Sequence, residues 1–151
     1  MRPMKTKEEY FDFEKENQRH FNEYYKSQGW PYKRIYGKEN KDYDCVVLID
    51  GAWIKIEEKY RSKEYPDLLA ETIQDTKTNS PGWLYYTKAD WLLYGVSDKI
   101  YKIDMSMLKS FIENHGDKFN KKISKKGWGI TENIAIPWYT ITHNGIGQKI
   151  K

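Results

Sequence analysis

Cysteine is nearly absent from this chain, which has only Cys45. A single cysteine excludes an intrachain disulfide and any zinc site built on several thiolates, and its place in an apolar run reads as a small buried hydrophobe. Long apolar runs are missing as well. No stretch reaches the roughly 18 apolar residues of a membrane-crossing helix, and the opening MRPMKTKEEY lacks the apolar segment of a secretion signal. The expectation is a cytoplasmic protein with no membrane partner. Phosphate-cradling glycine loops, nucleophile elbows and dinucleotide fingerprints do not occur. His20, His115 and His143 show no metal-ligand spacing and read as structural or surface residues.

What is present fits one domain spanning 1–151, because 151 residues bury a real core but do not divide comfortably into two. Hydrophobic residues at 38% and charged residues at 32% give a globular balance with a heavily charged surface. A net charge of +4 is compatible with nucleic acid, yet well short of an architectural DNA binder. The 13 tyrosines and 6 tryptophans suit core packing first and base stacking second. An abundance of Lys, Asn, Ile and Tyr hints at an AT-rich genome, such as that of a phage or mobile element.

Along the chain, Thr6 and Glu9 form a capping-box pattern, and Tyr10, Phe13, Asn17, Phe21, Tyr24 and Gln28 recur at helical spacing until Gly29. That predicts a first helix over 7–27. A short strand over 32–36 and a charged loop over 37–41 follow. Asp44–Ile49 and Ala52–Tyr60 are β-rich runs separated by Asp50-Gly51, the signature of a tight hairpin. Pro66 and Asp67 open what reads as a helix to Thr78, ended by Asn79-Ser80-Pro81-Gly82. Extended segments are expected at 83–86 and 91–96, a strand at 99–103 and a helix at 105–114 stopped by Gly116. The basic stretch 118–129 reads as a loop, and 134–142 as a last extended piece before the Asn144-Gly145 turn.

Three acid-any-lysine triplets occur: Glu39-Asn-Lys41, Glu57-Glu-Lys59 and Asp75-Thr-Lys77. Only the second ends a clear strand, where Glu57 and Lys59, two apart, project from one face. Counting back from the Asp50-Gly51 turn sets Val46 opposite Lys55, Cys45 opposite Ile56 and Asp44 opposite Glu57. Like charges so opposed destabilise a ladder unless a cation sits between them, and hard oxygen ligands point to Mg²⁺ or Mn²⁺. Lys59 is then placed to orient a water or neutralise charge on a phosphate, and Lys55 and Arg61 share that face by parity. The same residues also read as the solvated polar face of an amphipathic hairpin with cross-strand ion pairs.

A helix, a strand, a hairpin carrying Asp44 on one arm and Glu57-Glu58-Lys59 on the other, then a helix and a strand, resembles the core of the PD-(D/E)XK nuclease superfamily. The resemblance covers about 7–96, leaving 97–151 as an extension. It implies an α/β restriction-endonuclease-like fold, with a central mixed sheet of about five strands flanked by helices in αβββαβ order. It implies Asp44 and Glu57 as metal ligands, a further metal contact from the Glu58 carbonyl, and Lys59 as the catalytic lysine. Members often add a polar residue from the helix after the hairpin, for which Gln74 and Glu71 are candidates, and some add a glutamate from the first helix, here Glu14 or Glu16. No proline precedes the aspartate, so Asp42, of the same strand parity, remains a competing ligand.

The function implied is metal-dependent hydrolysis of DNA phosphodiester bonds leaving 5′-phosphate and 3′-hydroxyl ends, by a monomer or a homodimer. Alternatives are RNA or branched DNA as substrate, or an inactive nuclease-like module that grips nucleic acid or a protein. The cluster Lys121, Lys122, Lys125, Lys126 and Trp128 suits a loop holding a phosphate backbone, with a plain solvated loop the competing reading.

Overall fold

The computed structural model describes residues 7–37, 42–126 and 129–151, with side chains from Lys15 onward except that of Lys126. Thr6 of the predicted cap, most of the charged loop after Gly37, the Glu14 side chain and Trp128 lie outside what is described.

Helix α1 (Lys7–Gln28) ends as its sequence predicts. Gly29 takes φ +73, its N–H bonds Lys26 O, and the Trp30 N–H bonds Tyr25 O at 3.0 Å, which together close the last turn. After the short β1 (Tyr32–Arg34) comes the predicted hairpin of β2 (Cys45–Ile49) and β3 (Ala52–Arg61). Both turn residues, Asp50 and Gly51, have positive φ, the twist-matched geometry that Asp-Gly favours. Ile49 faces Ala52, Val46 faces Lys55 and Cys45 faces Ile56, the register counted from the turn.

The next segment overturns an expectation. Residues 67–75 form strand β4 (Asp67–Asp75), not a helix. Leu, Ala, Glu and Gln gave the stretch good helix propensity, but its ladder with β9 (Gly129–Pro137) outweighs that local preference and buries Leu68 and Ala70 on alternating positions. β5 (Ser80–Pro81) leads into α2 (Trp83–Tyr86), a single helical turn where aromatic β-propensity had suggested an extended run. β6 (Trp91–Val96), β7 (Lys99–Asp104) and α3 (Met105–His115) agree with expectation, and Asp104 caps α3 through the Met107 N–H.

The basic stretch expected as a loop is strand β8 (Asn120–Lys126), which pairs along β9. Almost every described side chain of β8 is exposed, Ile123 included, so no apolar alternation marked this outer strand in the sequence. The last extended piece stops at Pro137, where α4 (Trp138–His143) begins before β10 (Gly147–Lys149).

The architecture is α/β with two sheets. A mixed six-stranded sheet runs β1-β2-β3-β6-β7-β10, antiparallel throughout except that β3 and β6 are parallel. A four-stranded antiparallel sheet runs β5-β4-β9-β8. The excursion that brings the chain from β3 back to β6 therefore runs through β4, β5 and α2, where a helix had been expected. α1 packs on one face of the larger sheet through Phe21 and Tyr25, against Cys45, Val47, Ile56 and Leu93. The smaller sheet, α2, α3 and α4 cover the other face, with Leu68, Ile136, Leu92, Ile103 and Leu108 fully buried. Each such side chain contributes about 1.5–3 kcal/mol by leaving water.

Candidate active site

Alternation along β3 decides which acid goes where. Ile56 and Glu58 point toward α1, whereas Glu57 and Lys59, level with Leu92 and Tyr94 of β6, point to the face between the two sheets. The adjacent glutamates thus occupy different environments.

Asp44 ends just outside the ladder, whose last pair is Cys45 and Ile56. The expected direct pairing of Asp44 with Glu57 does not form: the Asp44 N–H donates to Ile56 O at 2.9 Å, and its Oδ2 accepts the Glu58 N–H at 2.7 Å. The carboxylate replaces a ladder carbonyl and breaks the regular register, yet it stays close enough to raise the Glu57 pKa. Glu57 is 3% exposed. Its Oε1 meets Lys59 Nζ at 3.1 Å, and its Oε2 lies 3.4 Å from the Thr87 hydroxyl.

Burial raises the Glu57 carboxyl to about 7, with Lys59 opposing and Asp44 adding to the shift. Burial by itself lowers Lys59, but the Glu57 and Asp44 charges outweigh it and hold the ammonium above its usual range. The lysine stays charged. Its Nζ also stands 5.6 Å over the Trp83 ring, a cation–π contact at the start of α2.

Three residues of the α2 segment complete the site, and sequence reasoning missed all of them. Trp83 backs Lys59, Thr87 meets Glu57, and the half-buried Tyr86 phenol is raised by burial, with Lys59 opposing and Glu57, Glu71 and Asp44 adding. The helix breakers before α2 were the available signal, since Gly82 is where the chain turns back toward the hairpin. A Cβ on Gly82 would stand 2.2 Å from Glu71 O, so only glycine lets α2 close on β4.

The remaining candidates separate. Glu71 lies beside the cluster, but on β4, with Oε1 accepting the Trp83 N–H at 3.3 Å. Gln74 sits farther along β4, past a register shift at Glu71–Ile73, and its side chain makes no hydrogen bond among the described residues. The two are not neighbours on a helical face, because the helix does not exist. Asp42 pairs with Lys88 at 3.4 Å, while its carbonyl accepts the Thr87 hydroxyl and the Lys88 N–H. Glu16 faces outward and pairs with Arg19.

Glu58 is tied up on the opposite face, where Oε1 receives Arg34 Nη1 at 2.6 Å and Oε2 the Tyr25 hydroxyl at 2.6 Å. The contact expected of Glu58 is its backbone carbonyl, which does not depend on where this side chain goes. Lys55 is exposed, 5.6 Å over the Tyr43 ring. Arg61 bonds Asp67 at 3.1 Å and stacks on Tyr65 at 3.4 Å, which fastens the turn into β4. Lys125 lies exposed on β8, at some remove from the cluster.

Among the described residues no group of three or more histidines, cysteines and acids is placed to hold a metal. Two carboxylates with a lysine are what this site offers. That set fits Mg²⁺, which typically takes one or two protein carboxylates and fills its shell with water and phosphate. It also fits the electrostatics, since burying Glu57 beside Asp44 is unfavourable and a divalent cation would reverse the sign. No protein-family model matches this chain, and no curated protein matches it in sequence.

Proposed function

We propose that this protein is a metal-dependent nuclease of the PD-(D/E)XK type that hydrolyses phosphodiester bonds of DNA. One observation carries the reading: Glu57 is buried, lies within electrostatic reach of Asp44 and is ion-paired to Lys59 at 3.1 Å, all at the interface of the two sheets. A solvated hairpin face would leave these charges in water, whereas Glu57 is only 3% exposed.

In this reading Asp44 and Glu57 would hold the cation, and the Glu58 backbone carbonyl is the further contact that the resemblance implies. A bound Mg²⁺ or Mn²⁺ supplies Lewis-acid polarisation of a phosphoryl oxygen and an acidified water. Asp44 is oriented by the Glu58 N–H, and Thr87 steadies the Glu57 carboxylate from the other side. Lys59 keeps its proton between two acids and presents positive charge where a phosphate gathers negative charge. Trp83 limits where that ammonium can swing.

The test is incubation of supercoiled, linear, branched and single-stranded DNA, with an RNA control, in Mg²⁺, Mn²⁺ or EDTA. Metal-dependent cutting of DNA supports the reading and ranks the substrates. Binding without cutting under every metal condition replaces it with a nuclease-like binding module.

A further inference from the structure

We propose that the β8–β9 ribbon is an arm that grips the phosphate backbone of duplex DNA beside the cleavage site, an inference that rests on the nuclease reading and adds a second, non-cleaving contact to it. β8 is the outer strand of the smaller sheet, and its sequence Asn-Lys-Lys-Ile-Ser-Lys-Lys carries four lysines and no acid. Lys121, Lys122 and Lys125 are exposed. The ribbon offers them one partner, Glu132, which is 18% exposed and reaches Lys121 at 3.4 Å. Lys122 and Lys125 have no ion pair among the described residues.

Register places this charge relative to the site. Lys122 pairs with Asn133, Asn133 pairs with Glu71, and Glu71 bonds the first residue of α2. Two strand spacings, about 10 Å, therefore separate Lys122 from Glu71. From there the ribbon runs outward: Lys125 pairs with Ile130, whose carbonyl accepts the Thr76 N–H at the far end of β4. Three residues of strand separate Lys122 from Lys125 by roughly 10 Å, and the odd spacing in an unbroken ladder puts the two on opposite faces of the ribbon. The tip also holds an acid, Asp75, but its Oδ1 accepts the Lys77 N–H and packs on Gly129.

β8 is an edge strand, so a ribbon entering a duplex groove edge first turns its two faces, and with them Lys122 and Lys125, toward the two phosphate walls, where lysines make contact without reading sequence. Lysines on an outer strand have another use, blocking pairing with a second sheet. If that is their whole role, their loss causes self-association and leaves DNA affinity alone.

The experiment measures binding of a 30-base-pair duplex by fluorescence anisotropy in Ca²⁺ across a salt series. It compares the native chain, Lys122→Ala/Lys125→Ala, and a control, Lys33→Ala/Lys102→Ala, whose lysines sit over Trp53 and Trp91 elsewhere on the surface. The expected result is roughly tenfold weaker binding for the ribbon variant, with the slope of log K against log salt falling by about two, and no change for the control. Equal losses in both variants, unchanged affinity in the ribbon variant, or no duplex binding by the native chain overturns the proposal. Cleavage assays on the same proteins separate it from the nuclease reading. A native chain that binds through the ribbon but cuts nothing keeps the arm and loses the enzyme. Cutting with unchanged affinity in the ribbon variant does the reverse.

Discussion

Arg34 and Glu58 meet at 2.6 Å with their side chains only 7% and 5% exposed, on the face of β3 opposite Lys59. Arg34 also bonds Asn22 and the Gln18 carbonyl of α1, so one guanidinium joins helix, β1 and β3. Glu58 in turn is hydrogen-bonded by Tyr25. The strand that presents Glu57 and Lys59 is held from behind.

Removing one partner of that pair should therefore cost far more than an exposed salt bridge. Arg34→Met leaves Glu58 buried with its main counter-charge gone, and the expected loss is about 3–5 kcal/mol in a denaturant titration. Arg34→Met/Glu58→Met should recover much of it, because no charge is then stranded. A loss below about 1 kcal/mol for the single variant would mean that water reaches Glu58.

Sequence alone made the hairpin legible, because Asp50-Gly51 pins a two-residue turn and every pair from Ile49–Ala52 to Cys45–Ile56 follows by counting. The count failed one step later, at Asp44, where a side-chain acceptor takes the place of a ladder carbonyl. No residue pattern announces that substitution. β4 was hidden for a different reason: DLLAETIQD has helix propensity, and only its long-range partner β9, some sixty residues on, makes it a strand. With the helix went the argument for Gln74, whereas Glu71 stayed near the site by another route. Trp83 and Thr87 were invisible because their relation to Lys59 and Glu57 is set by the turn at Gly82, not by spacing.

That turn makes its own prediction. Gly82→Ala forces a methyl against Glu71 O, where 2.2 Å is available, so α2 must move off β4. A cost of about 1–3 kcal/mol is expected for such overpacking. Because Trp83 and Thr87 move with the turn, cleavage should fall by more than the folded fraction accounts for, measured as rate per folded molecule.

The Glu57 shift predicts how stability of the metal-free protein depends on pH. Its carboxyl titrates near 7 folded against an ordinary 4.5, so the native state binds the extra proton between those values. Its contribution is therefore full below about 4.5 and is lost as pH rises through about 7, a change on the order of 3 kcal/mol. Glu57→Gln should flatten that slope. Chemical denaturation of both proteins in EDTA from pH 5 to pH 8 checks it, and parallel slopes would contradict it.

Mg²⁺ should act in the opposite sense. A cation shared by Asp44 and Glu57 favours the ionised carboxylate, so added Mg²⁺ or Mn²⁺ should raise the melting temperature more at pH 8 than at pH 5. Asp44→Asn should remove most of that increment. An equal rise at both pH values in both proteins would indicate nonspecific ion binding.

The most direct test of the Asp44, Glu57 and Lys59 site is the rate at which native protein and Asp44→Asn, Glu57→Gln and Lys59→Ala cut supercoiled DNA in Mn²⁺. Each variant is first shown to be folded by its circular dichroism. The prediction is cleavage by the native chain, abolished by EDTA, and a loss of about 10²–10³ in rate for Lys59→Ala, the scale of removing one preorganised electrostatic contact. Native-like cutting by all three folded variants would contradict it, because the chemistry would then lie outside Asp44, Glu57 and Lys59.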